Sequence, residues 1–358
     1  MGVFSILVLI PIMIQHFSVK EFNVDNYNKK NKIAISFFFF FLTLLVMLRH
    51  ESICNDTRNY IHFFEEISHM SWAEVGKYPL ELGFSYFNKI VSLLSNNPHF
   101  FLAVSALLVC AMIYPTYKRL CLDASLTIVL FCTMSTFVMM FSGIRQMLAI
   151  GLGFIAYEFT RRKKLVLFII IVCLAITFHT SAFMLFFMYP LYHVKITRKW
   201  LFVVVPALIL VFIFNRPIFF FLTLIIRQYT GYEGQMSSTG AYAMLILFVL
   251  FAVFVFFIPD ESILDKETIG LRNFLLFSLI LQMFAPLHTL AMRMNYYYII
   301  FIPLLIPKII ECKSERWSQV AVIGRYVMVL FFLVYFFVNA NSGGNLNVFP
   351  YYFFWENV

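Results

Sequence analysis

The stretches Phe141-Ser-Gly-Ile-Arg-Gln-Met-Leu-Ala-Ile150 and Thr177-Phe-His-Thr-Ser181 decide how this chain is interpreted. The first stretch places Arg145 at the start of an apolar segment, and the second places His179 where the next apolar segment ends. Residues 161–164, with the sequence Arg-Arg-Lys-Lys, form a basic turn between them. If both segments span a bilayer, this turn faces the cytoplasm, and Arg145 and His179 lie on the same opposite side.

The composition is that of a membrane protein. The chain has 358 residues, of which 62% are hydrophobic and 13% are charged, and its mean hydropathy is +0.85. A soluble domain this apolar would expose one large hydrophobic surface. Apolar runs of near-spanning length recur along the chain, so we predict an all-α, polytopic membrane helical bundle.

About twelve apolar segments are predicted to cross the membrane. They cover residues 3–17, 33–48, 98–114, 126–141, 145–159, 165–178, 182–192, 201–214, 241–258, 273–290, 296–309 and 326–338. The segment 182–192 is too short to cross as a straight helix, so it is extended, tilted or re-entrant. The chain, 1–358, is predicted to form a single integral membrane domain with external loops at 50–97 and 215–240.

The basic residues predict the orientation. With the N-terminus outside, only eight of the 27 Lys and Arg residues fall on the outer side. These are Arg49, Arg58, Lys77, Lys89, Arg145, Arg216, Arg227 and Arg293. The opposite orientation would violate the tendency of cytoplasmic loops to collect Lys and Arg. The net charge of +9 therefore reflects topology, and we expect no nucleic-acid partner.

Three of the outer cations, Arg49, Arg145 and Arg293, are predicted to lie at helix ends. An arginine near the outer face needs a reason, because it is costly in hydrocarbon and disfavoured in translocated loops. Each side chain taken alone could simply reach the lipid headgroups. For the three together with Arg227, convergence on an anionic ligand is the better explanation, since guanidinium binds phosphate in a bidentate manner.

Two external carboxylates and one histidine are candidates for acid–base chemistry. Glu81 precedes a predicted helix that returns to the membrane, where an apolar wall would raise its pKa and suit a general base. The alternative is a helix cap or a solvated charge. Asp56 lies near Arg49 and Arg58 in sequence, which would keep it ionised and paired. His179 is a possible base or phosphate ligand, although a lone histidine at a helix end is more often only hydrogen-bonded.

The absence of familiar motifs narrows the chemistry. The sequence has no Walker A motif, no Rossmann glycine pattern and no HExxH motif, and its six cysteines form no CxxC pair. No external carboxylate pair offers an obvious metal site. The sequence thus predicts metal-independent chemistry without a cofactor, in which arginines balance phosphate charge. The predicted membrane segments contain no chain of ionisable residues that could relay protons. This absence weighs against an ion-coupled pump.

Several short motifs, in this order, resemble the EpsG family of polytopic membrane proteins. They are Arg49…Asp56…Tyr60, Glu81-Leu-Gly-Phe84, Ser142-Gly-Ile-Arg145-Gln146, Phe178-His179-x-Ser181 and Arg293…Tyr297-Tyr298. The members of this family are similar to Wzy-type polymerases of surface polysaccharides. One departure is Leu82, where proline is expected in the Glu-x-Gly-Phe element.

The resemblance implies a GT-C-like bundle in the bacterial inner membrane, with an active site that faces the periplasm or the outside. It implies a glycosyltransferase that polymerises repeat units carried on undecaprenyl pyrophosphate, as in O-antigen, capsule or exopolysaccharide synthesis. The implied partners are the lipid-linked glycan, a chain-length regulator and a flippase.

The resemblance and the residue chemistry together suggest three groups of site residues. The candidate catalytic residues are Glu81, Asp56 and His179. The candidate pyrophosphate ligands are Arg49, Arg145, Arg293 and Arg227. The candidate sugar or lipid contacts are Tyr60, Gln146 and Tyr297. The choice of base among the catalytic candidates stays open.

Two other functions are compatible with a lipid-linked glycan. A flippase would distribute its cations through a central cavity, whereas this sequence gathers them on one face. A sugar O-acetyltransferase would need a cytoplasmic site for acetyl-CoA, and none is visible in the sequence.

Overall fold

The computed structural model describes residues 2–16, 24–54, 56–225, 240–341 and 348–357. Within these ranges the chain is helical and contains no β-strand apart from isolated bridges, which confirms the all-α prediction. It forms two compact units, the first comprising Met1–Phe186 with Ile323–Val358 and the second comprising Phe187–Val322. The single membrane domain stays a prediction.

The first unit contains most of the predicted site residues. Its α-helices are Gly2–His16, Val24–Met47, Thr57–His69, Trp72–Val75, Leu82–Ser92, Pro98–Leu120, Ala124–Thr133, Ser135–Ser142, Ile144–Arg161 and Leu165–Phe178. A 3-10 helix, Thr180–Phe187, leads to the second unit, and the long helix Ser318–Asn341 leads back from it.

The second unit contains Arg293 and Tyr297. Its α-helices are Met188–His193, Leu201–Ile213, Asn215–Ile225, Gly240–Phe257, Lys266–Gln282, Thr289–Ile299 and Ile302–Glu311. Short 3-10 turns at Arg198–Trp200 and Glu315–Trp317 connect some of them.

Four of the described helices are long and apolar enough to cross a membrane. They are Asp25–Met47, Pro98–Leu120, Gly240–Phe257 and Glu315–Asn341. The number rises to seven if each of three bent helix pairs counts as one span. Two further apolar helices, Gly2–His16 and Leu165–Phe178, are shorter. The structure thus supports a membrane protein, and the count of about twelve crossings stays a prediction.

Several predicted helices are broken or displaced. The single helix expected at 126–141 is bent by 65° at Met134. The short segment 182–192 is partly 3-10 and belongs to a pair bent by 118°. The helix expected at 273–290 begins at Lys266, because the Asp265 side chain accepts a hydrogen bond from Thr268 N at 2.6 Å and caps it.

The segment 50–97, which is predicted to be an external loop, is largely helical. It contains Thr57–His69, Trp72–Val75 and Leu82–Ser92. Phe64 lies on the first of these helices and stacks on Phe101 of Pro98–Leu120, with ring centroids 4.9 Å apart. Because aromatic pairs bury a large apolar area, this contact attaches the loop to the bundle.

The residues 348–357 lie against the end of the helix Val24–Met47. The hydrogen bonds that join them are His50 N to Tyr352 O at 2.9 Å, Phe354 N to Leu48 O at 2.9 Å, and Tyr351 OH to Leu45 O at 2.6 Å. Arg49 and Phe353 form an antiparallel bridge between these bonds. This terminal segment therefore covers the backbone around Arg49.

Candidate functional site

Glu81 is the centre of a charged cluster in the first unit. Its Oε2 accepts a hydrogen bond from Nη1 of Arg145 at 2.6 Å. Its Oε1 lies 3.1 Å from Nδ1 of His179 and accepts a bond from the backbone N–H of Thr180 at 3.3 Å. The side chains of Glu81 and His179 are each 17% exposed, and that of Arg145 is 26% exposed. We call these three residues the Glu81 cluster; it is mostly buried but accessible.

Each residue of the Glu81 cluster lies at a helix end. In chain order, they lie just before Leu82–Ser92, in the first turn of Ile144–Arg161 and just after Leu165–Phe178. Backbone groups at helix ends lack partners inside the helix, so polar side chains are stable there. Three helices can therefore bring these charged groups together at their ends.

Gly83 allows two of these helix ends to meet. A Cβ atom at this position would lie 2.2 Å from Oγ1 of Thr177 and 2.9 Å from the Thr177 carbonyl oxygen. The backbone oxygen cannot move aside as a flexible side chain would. The glycine in Glu81-x-Gly83 thus permits the close approach that places His179 against Glu81.

Arg145 also contacts the aromatic wall of the cluster. It is hydrogen-bonded to the hydroxyl of the buried Tyr60, and its guanidinium lies 6.0 Å from the centroid of the Phe84 ring. The rings of Tyr60 and Phe84 are themselves 5.8 Å apart. Nε of Arg145 is buried and has no hydrogen-bond partner in the described part of the chain. The exposed 26% of the Arg145 side chain, not this enclosed nitrogen, is the part that an anion could reach.

The electrostatics make Glu81 a poor proton acceptor. Burial alone would raise the pKa of its carboxyl group, but the hydrogen bond with His179 and the charge of Arg145 outweigh it and lower the pKa to about 2. The expected rise in this pKa is therefore wrong. The reason is that the same helix ends that bury Glu81 also supply two partners for its charge.

Asp56 has a different environment from the one expected. Its Oδ2 accepts a hydrogen bond from Oγ of Ser142 at 3.0 Å, and it forms no ion pair among the described residues. Arg58, one of the two expected partners, lies instead 3.6 Å from Glu51, and Arg49 donates to the carbonyl of Val46. The predicted pairing of Asp56 with Arg49 or Arg58 is wrong. Asp56 precedes the helix Thr57–His69, Arg58 lies on the exposed surface of that helix, and Arg49 forms no ion pair among the described residues.

Arg49 is buried in the same unit. It is 1% exposed, and its Nη1 donates to the carbonyl of Val46, while Nε and Nη2 have no hydrogen-bond partner in the described residues. A buried guanidinium without a carboxylate is costly. Arg49 and Arg145 both interact with Tyr60, so two of the predicted pyrophosphate ligands lie around one tyrosine.

A model of the EpsG family matches residues 32–353, which is nearly the whole chain. The chain belongs to the EpsG family. No curated protein and no solved structure matches it. The family and the apolar helices together indicate a bacterial membrane protein of polysaccharide biosynthesis.

The other predicted site residues of this EpsG-family protein lie elsewhere or are fully buried. Arg293 is exposed on Thr289–Ile299 in the second unit, where Tyr297 is 1% exposed. Gln146 follows Arg145 but is 3% exposed, so its side chain faces the helical core. Arg227 lies outside the described residues. The roles proposed for these residues stay predictions.

Sequence reasoning missed three contributors to the EpsG-family site. Ser142 binds Asp56, Thr180 donates its backbone N–H to Glu81, and Gly83 permits the helix contact. The signal for Ser142 and Gly83 was their place inside the motifs beside Arg145 and Glu81. Nothing in the sequence marks the Thr180 N–H.

Among the described residues no group of three or more His, Cys, Asp or Glu could hold a metal ion, and metal independence stays a prediction.

Proposed function

We propose that this EpsG-family protein is a polysaccharide polymerase that joins repeat units carried on undecaprenyl pyrophosphate at the outer face of the bacterial inner membrane. The observation that carries the proposal is the Glu81 cluster, in which one carboxylate contacts both an arginine and a histidine. The cluster combines a cation for a phosphate leaving group with a histidine for proton transfer, and both are accessible.

The reaction exchanges one bond at the anomeric carbon of the donor. An acceptor hydroxyl oxygen attacks C1 of the donor sugar, and the bond from C1 to the pyrophosphate oxygen breaks. The pyrophosphate leaves with the electron pair, and its added charge is stabilised by Arg145, whose guanidinium suits phosphate. Arg49, Arg293 and Arg227 are further candidates for this role.

His179 is the base that best fits the geometry. Glu81 interacts with Nδ1, which leaves Nε2 as the nitrogen that can accept the hydroxyl proton. A carboxylate in this position orients the imidazole and stabilises the imidazolium that forms. Glu81 itself, with a pKa of about 2, binds a proton too weakly for this task near neutral pH. Asp56 is a rival base.

The wider setting of the reaction follows from the family resemblance. We propose that about twelve crossings form a GT-C-like bundle, in which Tyr60, Gln146 and Tyr297 contact sugar or lipid. A chain-length regulator and a flippase are the expected partners. We propose that neither a metal ion nor a cofactor takes part in the reaction.

Polymerisation by purified protein tests this function. The protein in nanodiscs receives lipid-linked repeat units, and glycan length and released undecaprenyl pyrophosphate are measured. We expect ladders from the wild type and from a His62→Ala control, whose histidine lies on an exposed helix face, and single repeats from His179→Ala. Release of pyrophosphate without ladders would indicate a hydrolase.

A cellular assay separates the polymerase from the flippase. Deletion of a polymerase gene leaves one-repeat glycans at the surface, whereas deletion of a flippase gene leaves none. Complementation with His179→Ala should restore nothing beyond one repeat. Complete loss of surface glycan would contradict the proposed function.

A further inference from the structure

The helix Leu82–Ser92 has one buried face and one exposed apolar face. Phe84 and Val91 are buried, whereas Leu82, Tyr86 and Ile90 are exposed. These three recur every four residues, so they share one side of the helix. The exposed surface continues through Leu93 and Leu94, which are 65% and 75% exposed. We call these five exposed residues the apolar stripe.

The apolar stripe lies beside a helix that requires lipid. In Leu165–Phe178 every residue except Thr177 is apolar, and six of its large side chains are exposed. The two helices meet at Gly83 and Thr177, and the rings of Phe87 and Phe178 are 6.1 Å apart. A helix with such an apolar exposed side is stable only in hydrocarbon. The stripe therefore extends a lipid-facing surface toward the Glu81 cluster.

The first residue of the apolar stripe adjoins the Glu81 cluster. Leu82, its first residue, directly follows Glu81, which pairs with Arg145. From Leu82 to Leu94 the stripe extends roughly 18 Å along the helix direction. An accessible guanidinium at one end of an extended apolar surface matches an amphiphile with an anionic head and a long hydrocarbon tail.

We propose that the apolar stripe binds the isoprenoid tail of the lipid-linked substrate while its pyrophosphate reaches Arg145. This inference rests on the proposed function, and it adds a tail-binding surface and a route of access. The substrate would reach the Glu81 cluster sideways from the bilayer, so that its tail never leaves an apolar environment. Ordinary bilayer lipid could occupy the stripe instead, but it has no pyrophosphate group to bind Arg145.

Photo-crosslinking tests this occupant directly. Benzoylphenylalanine replaces Ile90 or, as a matched control, Val166, which is 71% exposed on the neighbouring helix. Val166 lies eleven residues before Thr177, roughly 17 Å from the helix contact. The probe is a radiolabelled long-chain prenyl pyrophosphate in nanodiscs. We expect about tenfold more label at position 90, and competition by unlabelled prenyl pyrophosphate but not by the corresponding prenol. Equal labelling at both positions would mean that bilayer lipid occupies the stripe.

Kinetics provide a second test that does not depend on crosslinking. Ile90→Asn should raise KM for a long-tailed substrate about tenfold, since one large apolar contact is lost, and leave kcat and the KM for a short-tailed analogue unchanged. Val166→Asn should change neither. A change in kcat alone, or equal effects on both tail lengths, would overturn the assignment.

The two proposals fail in different ways. Crosslinking requires binding but no turnover, so selective label at position 90 without polymer would refute the polymerase and retain the tail site. Polymer formation with equal label at both positions would refute only the tail site.

Discussion

Each of the two units contains an Arg–Glu pair, and the pairs have different roles. In the first unit Arg145 and Glu81 are partly exposed, and Glu81 also contacts His179. In the second unit Arg272 is 0% exposed and pairs with Glu261. Its guanidinium also donates to the carbonyl of Ile196 and lies 4.3 Å from the centroid of the Phe256 ring.

The difference lies in access to the arginine and in what else the carboxylate contacts, because Nε lacks a partner among the described residues in both arginines. Arg272 is enclosed and directs its Nη atoms to Glu261 and Ile196, so its pair has a structural role. Arg145 is 26% exposed, and its carboxylate partner also contacts a histidine. Thus an ion pair marks a candidate site when it is accessible and adjoins a group that can transfer a proton, not merely when it is buried.

Arg272→Ala is expected to have the largest effect on stability. Glu261 is 25% exposed and keeps Arg198 at 4.0 Å, so the main loss is the bond to the Ile196 carbonyl and the packing on Phe256. Together these losses cost about 2–4 kcal/mol. The unfolding midpoint of the purified protein in detergent and the amount in the membrane should both fall. An Arg272→Ala protein that unfolds like the wild type would remove the contrast between the two pairs.

Arg145→Ala is expected to affect activity instead. Loss of one charge-assisted contact to phosphate costs about 2–5 kcal/mol, so polymer formation should fall about thirtyfold or more while the protein remains in the membrane. Arg145→Lys should also be poor, because an ammonium group lacks the bidentate geometry. Long polymers from Arg145→Ala would mean that the arginine only holds Glu81 in place and does not bind the leaving group.

Gly83→Ala tests the helix contact beneath the Glu81 cluster. The new methyl group would meet the Thr177 backbone and cost about 1–3 kcal/mol, displacing Glu81 from His179. We expect a loss of activity larger than the loss of thermal stability. Gly76→Ala is the control, since its methyl group would meet only the flexible tip of Tyr86. Equal activity of both variants would show that the contact tolerates a side chain.

Glu81→Gln distinguishes the orienting carboxylate from the base. The pKa of Glu81 lies near 2, below its value in the unfolded chain, so the carboxylate is ionised above about pH 4. Protonation of Glu81 therefore cannot lower the activity at any pH above about 4. If Glu81 were the base, kcat/KM would stay constant down to about pH 4. Because we assign the base role to another group, we expect the wild-type kcat/KM to fall at a pH above about 4. Glu81→Gln should lower kcat about tenfold with KM unchanged, since the amide stabilises imidazolium poorly. Wild-type activity that stays constant down to about pH 4, together with an inactive Glu81→Gln protein, would make Glu81 the base.

Arg58→Ala is the smallest expected change. Arg58 and Glu51 are 66% and 44% exposed, so their pair contributes about 0–1 kcal/mol. Polymer length and thermal stability should match the wild type. A strong loss of polymer would extend the candidate site to this exposed surface.

The sequence predicts the chemical types of the site residues better than their partners. The sequence places Arg145 and His179 at the ends of apolar segments, which is a local property that periodicity and charge reveal. It does not reveal that both residues contact Glu81, because they are 64 and 98 residues away from it. The pKa of Glu81 depends on those contacts and was therefore predicted in the wrong direction.

The same limit applies to the helices. Leu165–Phe178 was predicted with the observed bounds, since basic residues and His179 flank a uniformly apolar run. Within 50–97 the helix after Glu81 was predicted and is observed as Leu82–Ser92. The helices Thr57–His69 and Trp72–Val75 were missed, although Ser71 and Glu74 form a capping box that the sequence displays. The break at Met134 has no Pro or Gly beside it and depends on tertiary packing.

The segment that covers Arg49 also affects the order in which this protein can assemble. Tyr351 bonds to Leu45 across 306 residues of sequence, and Tyr352 and Phe354 pair with the residues that flank Arg49. During synthesis the ribosome makes Arg49 long before it makes residues 348–357. Arg49 is therefore in contact with lipid or water while most helices are inserted. The Arg49 region therefore matures late, and a chain interrupted before residue 351 would contain every residue of the Glu81 cluster yet leave the backbone around Arg49 unpaired.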